Sequence, residues 1–363
     1  MGSEVVLVTG GQGFLGQHII RLLQQDPKVA EIRVIDKKMF TNRIGFEEKK
    51  VVKSFVADIS KPETMGNEIF DGVNCVIHTA AETGFSHFPS AKIMEEVNVN
   101  GTRHVIHKCI TANVGCLIFT STTHVVIPKK DPLFLATEHL AKAPPKDGFL
   151  FGHYGRTKHD AENLIRDANG KRLADGSGNL ATLCLRPTLL YGELDPYYVT
   201  HALKIAKDHG GCLYRIGWGG ERIQVTYAGN AAWAHILAKD QLMKEPTIVG
   251  GEVIFVTDDT VIQNAFEFLD PFLKARSMKA STFVYPATLA VIFVLFLYFV
   301  SRMLRPLVHL KNPFPHPSTL YFIVCFYCFN RLKATLRLGY KPIYSPEEAI
   351  SKSLDYYKNV PLS

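Results

Sequence analysis

Val5-Val6-Leu7-Val8-Thr9-Gly10-Gly11-Gln12-Gly13-Phe14-Leu15-Gly16 is the stretch that decides the fold. Four apolar residues run into a turn with glycines at three-residue spacing, and Gly16–Gln25 continues as a helical stretch. A strand that ends in such a turn and opens a helix brings bare backbone N–H groups up to a pyrophosphate. Gly10 allows the tight turn, Gly13 leaves the phosphates unobstructed, and Gly16 lets the helix lie close on the strand. Phe14 and Leu15 complete the expected cofactor-binding turn. The spacing is G-x-x-G-x-x-G rather than G-x-G-x-x-G, so its surroundings must support the reading.

They do. The strand Ile32-Arg33-Val34-Ile35 ends in Asp36, about twenty residues beyond the turn, where a carboxylate can bind both ribose hydroxyls of NAD. The same charge repels the 2′-phosphate of NADP. Lys37 and Lys38 follow and weaken this preference without reversing it. Ser54-Phe55-Val56-Ala57-Asp58-Ile59 reads as a third strand and Cys75-Val76-Ile77-His78-Thr79-Ala80-Ala81 as a fourth. Leu117–Thr122 and Ala181–Pro187 follow. Asp58, Ile59, Ala80 and Pro187 join the expected cofactor contacts. Strands alternating with helical stretches such as Gly16–Gln25 and Asn98–Asn113 predict an α/β fold, a Rossmann-type doubly wound parallel sheet.

Tyr154-Gly155-Arg156-Thr157-Lys158 carries the chemistry. A free tyrosine is a poor base at neutral pH. A lysine one helical turn away shares its face and can stabilise the phenolate. A Y-x-x-x-K pair means little alone; its force comes from following the fifth strand of a nucleotide-binding sheet. Ser121-Thr122-Thr123 closes that strand, at the edge where such sheets bind ligands, and a hydroxyl there can hold a substrate oxygen against the tyrosine. Together these motifs point to hydride transfer between an alcohol or ketone and a nicotinamide.

The chain resembles the extended short-chain dehydrogenases/reductases, and more narrowly the 3β-hydroxysteroid dehydrogenase/Δ5→Δ4-isomerase family. The match is carried by Thr9–Gly16, Val34-Ile35-Asp36-Lys37, Val76–Ala81, Asn98-Val99-Asn100-Gly101-Thr102, Leu185-Arg186-Pro187, Tyr191-Gly192-Glu193, Gly229–Ala238 and Asp258-Asp259-Thr260. The G-N-x-A-W-A-H run is the most particular to the steroid branch. The resemblance implies Tyr154 as acid/base and Lys158 as the residue that lowers its pKa and holds the nicotinamide ribose. It implies Ser121 or Thr122 as the orienting hydroxyl, with the spacing to Val125 favouring Thr122, and Asn98 as a support. The family's usual Y-P-x-S-K is here Y-G-R-T-K, which removes no functional group. It further implies that Asp258 or Asp259 is the base of a double-bond isomerisation. The competing reading is that Asp259 or Thr260 caps a helix starting near Ile262.

Ala280 to Ser301 contains no charged residue, with its apolar core over Phe283–Val300. About twenty apolar residues can cross a bilayer. Lys274, Arg276 and Lys279 flank one end and Arg302 and Arg305 the other, so orientation stays open. Leu320–Phe329 is apolar but too short to span and suits an interface. The expected organisation is 1–190 cofactor core, 191–279 mainly substrate lobe with returning core elements, 280–330 membrane-associated, and 331–363 packing back on the soluble domain. A chain that enters near 283–300 and returns through 306–330 reconciles the anchor with that tail; a single-pass chain with a free tail is the alternative.

The net charge of +7 over 363 residues suits an anionic membrane surface. Basic residues are scattered rather than clustered with aromatics, which argues against nucleic acid. Seven dispersed cysteines give no disulfide framework, and Cys325-x-x-Cys328 lacks a partner pair for zinc. No metal is expected. The expected partners are a steroid or sterol and the lipid bilayer, with a homodimer allowed. A cytosol-facing domain on the endoplasmic reticulum is expected, with a mitochondrial membrane left open. Two other readings stand: a decarboxylating sterol 4α-carboxylate 3-dehydrogenase, and a catalytically silent NAD-binding regulatory protein.

Overall fold

Val6, Val8, Ile32, Val34 and Ile77 point to one sheet face and Leu7, Ile35 and Val76 to the other, and all are buried. Side chains alternate across a strand, so burial of both sets requires cover on both faces. The computed structural model describes residues 2–84, 90–129, 131–217, 220–304 and 316–362. Its central sheet holds β1 (Glu4–Thr9), β2 (Val29–Asp36), β3 (Val52–Val56), β4 (Cys75–His78), β5 (Cys116–Thr120), β6 (Ala181–Pro187) and β7 (Val253–Val256). All pairings are parallel, in the order β3-β2-β1-β4-β5-β6-β7.

Three strands end earlier than the sequence suggested. β3 stops at Val56, β4 at His78 and β5 at Thr120, so Asp58, Ala80 and Ser121-Thr122 lie in the loops beyond their carboxyl ends. The seventh strand, Val253–Val256, was not singled out; its short apolar run has no periodicity of its own and becomes a strand by pairing with β6.

Helices α1 (Phe14–Gln25) and α4 (Ala228–Lys244) cover one face through residues such as Ile19, Leu23, Ala231 and Ala234. Helices α2 (Gly101–Thr111) and α3 (Gly152–Ala168) cover the other through Val105, Cys109, Ala161 and Ile165. α4 and β7 are thus core elements returning after the first part of the lobe.

The lobe gathers Tyr191, Leu203, Phe268, Phe272 and Tyr357 into a separate cluster. Its helix α5 (Ala265–Lys274) is capped by Asn264, whose Oδ1 accepts from the Phe266 N–H at 2.9 Å. Asp259 and Thr260 therefore do not cap it. Chain residues 279–286 form a strand pairing in parallel with Cys212–Gly217, and helix α6 (Ala287–Leu304) follows. The apolar run is thus split: its first part belongs to the lobe, and the long helix begins at Ala287 rather than near 283. At 1.5 Å per residue this helix is about 27 Å long. It is the one helix among the described residues long and apolar enough to cross a membrane. Leu289, Ile292, Phe293, Phe296 and Phe299 are exposed on it, while Val291 and Val294 pack on Leu320 and Val324.

The segment expected to return through 306–330 lies partly outside the described residues. From 316 onward it forms α7 (Pro317–Val324) and a strand, Tyr327–Phe329, paired with Leu133–Ala136. Phe322, Tyr327 and Phe329 are buried against Val125, Ile127 and Phe255, so this patch covers the catalytic domain instead of lying in an interface. α8 (Pro346–Asn359) then locks onto the lobe. The Tyr357 hydroxyl accepts from the Gly192 N–H at 2.8 Å and donates to Asp195 Oδ2 at 3.1 Å. Both flanks of α6 accordingly join one folded body.

Lys239 of α4 is fully buried among Glu4, Asp26 and Asp240, with its Nζ 3.1 Å from Asp26 and 2.7 Å from Asp240. The lysine supplies the cation that this carboxylate cluster needs, and ties α4 to β1 and to the end of α1. Lys239→Met takes the ammonium away from Glu4 and Asp26, while Asp240 keeps Lys28 at 2.7 Å. It is expected to cost about 3–5 kcal/mol, read as a lowered midpoint in chemical denaturation.

Candidate active site

The glycine turn is dictated by space. Gly10 has φ +73°, and a Cβ there would come 2.8 Å from the Ala80 backbone. At Gly16 a Cβ would lie 2.3 Å from the Gly10 carbonyl oxygen. Gly13 begins α1 with no side-chain cap, so the first amides of the helix are not occupied by a local acceptor. The turn floors one end of a cleft of about 400 Å³ at the carboxyl edge of the sheet.

Gly10, Gly13, Phe14, Leu15, Gly16, Asp36, Ile59, Ala80 and Pro187 all line this cleft, as do Tyr154 and Lys158 at its other end. Asp36 bridges the loops, accepting from the Gln12 N–H at 3.1 Å and the Lys38 N–H at 3.2 Å. Its charge stands where a ribose would lie beside the uncapped helix end, an arrangement that fits NAD. Asp58, expected as a cofactor contact, is not itself a lining residue, although its neighbours Ala57 and Ile59 are. Its carboxylate accepts from the Ser60 N–H at 2.9 Å and Oγ at 2.7 Å and holds Lys37 at 3.5 Å. Burial opposes its ionisation, but those hydrogen bonds and Lys37 keep its pKa below the usual value. Asp58 thus draws the Lys37 ammonium toward itself.

At the catalytic end, Lys158 donates from Nζ to the Thr120 carbonyl at 2.7 Å and sits 4.1 Å over the Phe119 ring. Burial lowers its pKa to about 7, against the pull of Glu162. Tyr154 lies one turn earlier on α3. Burial and the nearby Tyr197 raise its pKa, while a side-chain hydrogen bond from Thr122 works the other way. Lys158, one turn on, directs its ammonium at the strand end.

The structure separates the two adjacent hydroxyls. Thr122 faces Tyr154. Ser121 Oγ donates to Glu162 Oε2 at 2.6 Å, and Arg186 clamps the same carboxylate through Nε at 2.9 Å and Nη2 at 2.5 Å. Ser121 touches the cleft but spends its hydroxyl on this buried pair.

Asn98 does not line the cleft; it braces it. It sits in a π-wound turn, Glu95–Asn100, inside an otherwise α-helical run, a distortion common near functional sites. Its Oδ1 accepts from the Glu82 N–H at 2.8 Å, and its Nδ2 donates to the Glu82 carbonyl at 2.9 Å and to Thr157 Oγ1 at 3.0 Å.

Asp258 and Asp259 are not brought to the cleft. Asp258 is buried and accepts from the Tyr227 N–H at 2.8 Å, Asn230 Nδ2 at 3.0 Å and the Thr260 N–H at 3.0 Å. Asp259 is exposed and pairs with Arg331. The lining also holds residues that were not expected there, among them Glu82, His124 and Tyr197. The signal for Glu82 and His124 was their place, four residues past the ends of β4 and β5. Tyr197 comes from the lobe and carried no such signal. His124 is buried, with no hydrogen-bond partner on either ring nitrogen among the described residues. It packs against Phe151, Tyr154 and Phe322, and burial lowers its pKa to about 3.

The profile of the 3-beta hydroxysteroid dehydrogenase/isomerase family matches residues 7–287. The chain belongs to this family. The profile ends where α6 begins. The chain is 32% identical to mouse 3 beta-hydroxysteroid dehydrogenase type 7 over 365 residues, covering 97% of this chain and 95% of the relative. The human protein of the same name is 32% identical, covering 96% and 94%. Among solved structures, a UDP-glucose 4-epimerase from Thermotoga maritima with UDP-glucose superposes with a TM-score of 0.69 at 19% identity, over 98% of both chains. A Thermus thermophilus UDP-glucose 4-epimerase in complex with NAD gives 0.68 at 20% identity, over 98% of this chain and 100% of that one. These two likenesses describe the fold. Within this 3β-hydroxysteroid dehydrogenase/isomerase family member, the Tyr154–Thr122 contact and the Ser121–Glu162 contact assign different consequences to neighbouring residues.

Thr122→Ala is expected to lower kcat by about a hundredfold or more, with a stability cost of only about 1 kcal/mol from losing its 3.3 Å acceptance from the His124 N–H. Ser121→Ala removes a hydrogen bond to a buried carboxylate, and is expected to cost about 1.5–3 kcal/mol of stability with a much smaller loss of kcat. Steady-state kinetics and thermal unfolding on both variants check the split.

Proposed function

We propose that the protein is an NAD-dependent dehydrogenase of a 3β-hydroxysteroid, oxidising the carbon-3 alcohol to the ketone. The observation that carries this reading is that Tyr154, Thr122 and Lys158 line one end of a cleft whose other end is the glycine turn and Asp36. Two hydroxyls placed side by side can both contact one substrate oxygen, and Leu189 and Leu190 give the same cleft an apolar wall. Thr122 orients the alcohol, and Tyr154 takes its proton while passing its own phenol proton to neutral Lys158, one turn along the same helix. Lys158, held by the Thr120 carbonyl, is the nearby basic group. The turn of Gly10, Gly13 and Gly16 would hold the NAD pyrophosphate and Asp36 the ribose; bound NAD supplies the hydride acceptor.

The decarboxylating sterol enzyme would need a cation for a substrate carboxylate. The cations among the described lining residues are Lys37, drawn to Asp58 at the nucleotide end, and Lys158, engaged by Thr120. This favours the plain alcohol. The intact Tyr154, Lys158 and Thr122 set argues against a silent binding protein.

The setting we propose is a membrane surface, with the endoplasmic reticulum and a cytosol-facing domain as the favoured case. Both flanks of α6 join one body, so one full crossing would strand part of that body on the far side. A helix that enters the bilayer and returns, or lies along it, leaves the body whole and presents Leu289, Phe293 and Phe296 to lipid. An apolar substrate is then collected beside the cleft, since Phe322 of α7 packs on His124 at its wall.

Tyr154→Phe is expected to retain NAD binding by calorimetry and lose nearly all turnover. Full activity in this variant contradicts the assignment. The pH profile has a worked sign. Oxidation releases a proton, and Lys158 becomes a neutral proton acceptor only above its lowered pKa of about 7. kcat/KM for oxidation should therefore rise as pH climbs through about 7, and Lys158→Met should flatten that limb. A profile that falls over the same window opposes this role.

A further inference from the structure

We propose that Glu82 is the base that moves the double bond of a 5-ene-3-ketosteroid into conjugation; this rests on the dehydrogenase reading above, which supplies the ketone. Two carboxylates line the cleft among its described residues, Asp36 at the nucleotide end and Glu82 at the catalytic end. Asp258 spends its oxygens on three donors away from the cleft, and Asp259 faces solvent and Arg331.

The position of Glu82 is built. Asn98 grips both its N–H and its carbonyl, and the same amide reaches Thr157, three residues from Tyr154 on α3. The Glu82 backbone is thereby fixed relative to the catalytic tyrosine. Its Oε1 accepts from the Gly84 N–H at 3.2 Å. Thr83, next in sequence, donates to the Tyr197 hydroxyl at 3.0 Å. The charge of Glu82 acts on Tyr197, and Tyr197 in turn acts on Tyr154. Glu82, Tyr197, Tyr154 and Thr122 thus share one end of the cleft.

The chemistry balances without any oxidant. In a 5-ene-3-ketone, the carbon-4 hydrogen lies between a carbonyl and an alkene and is acidified by both. Glu82 takes that proton; the C4–H electron pair forms the C3–C4 double bond, and the carbonyl π pair moves onto the carbon-3 oxygen. Tyr154, kept in its phenol form by burial, and Thr122 donate hydrogen bonds to the dienolate oxygen. The carbonyl re-forms, the C4–C5 double bond closes, and carbon 6 takes the proton back from Glu82. One C–H bond breaks, one forms, and the carboxylate is regenerated. A carboxylate base facing hydroxyl donors on the enolate oxygen is a known solution to this proton shift.

The test uses the full chain in detergent with NAD. Wild type, Glu82→Gln, Glu82→Asp and Asp259→Asn receive a 5-ene-3-ketosteroid, with enone absorbance as the readout, and separately a saturated 3β-hydroxysteroid, with NADH as the readout. Glu82→Gln is expected to lower the enone rate by about a hundredfold or more and the NADH rate far less, so their ratio collapses. Glu82→Asp, which keeps a carboxylate, should recover part of that ratio, and Asp259→Asn should leave it alone. With the substrate deuterated at carbon 4, the wild-type enone should carry deuterium at carbon 6. An unchanged ratio in Glu82→Gln overturns the proposal, including the case where a purely structural loss lowers both rates together. A ratio that collapses in Asp259→Asn instead also overturns it. NADH without enone in the wild type removes this step and leaves the dehydrogenase; no NADH from any 3β-hydroxysteroid removes the dehydrogenase reading itself.

Discussion

A buried lysine ammonium seated on the end of a strand organises this active site. Lys158 donates to the Thr120 carbonyl at 2.7 Å and lies over Phe119, so α3 is docked at a fixed height against β5. The neighbouring positions on α3 are set by that contact. One turn earlier on the helix, Tyr154 comes level with the first residues past the strand, and Thr122 meets it. One turn later, Glu162 comes level with Ser121 and Arg186 and anchors the helix from behind. The cation is costly to bury, which is why its pKa falls to about 7, and the nearby Glu162 charge offsets part of that cost.

The second constraint runs through Asn98. A π-wound turn turns its amide toward two chain segments at once, and the three hydrogen bonds join the loop after β4 to α3. The loop that carries Glu82 is therefore part of the same rigid frame as Tyr154. The glycine turn supplies the third constraint. Gly10 packs on the Ala80 backbone too closely for any side chain, so the cofactor end and the loop after β4 are set by one contact. Hydride transfer needs the reacting atoms aligned about 3–3.5 Å apart, where a misplacement of about 1 Å is costly, and these three contacts brace the frame that sets that geometry.

Much of this was legible in the sequence because it rests on short local codes. The glycine turn, Asp36 at a strand end and the Tyr154/Lys158 spacing each describe a local backbone shape. What escaped the sequence depends on long-range packing. Whether Ser121 or Thr122 faces the tyrosine is decided by Glu162 and Arg186, 41 and 65 positions further on, by the differences 162 − 121 and 186 − 121. Asp58 reads as a cofactor contact because it follows a strand; its partners in the fold, Ser60 and Lys37, were not legible. Asp258 and Asp259 match a motif, yet Tyr227, Asn230 and Arg331 take their oxygens. Glu82 carried no motif at all; only the folded loop shows that it lines the cleft.

The apolar end of the chain follows the same logic. Its hydropathy marks 280–301 as one segment, but pairing with Cys212–Gly217 draws residues up to Pro286 into the lobe, and the helix starts only at Ala287. The later apolar patch becomes a wall of the catalytic domain through Phe322 and Tyr327. The central claim is hydride transfer from carbon 3 of a hydroxysteroid to the nicotinamide. The most direct measurement incubates the purified protein with NAD and a 3β-hydroxysteroid deuterated at carbon 3, and weighs both products. NADH carrying one deuterium together with the 3-ketone is the expected result. Unlabelled NAD and unchanged steroid, across saturated and 5-ene substrates, would contradict the account.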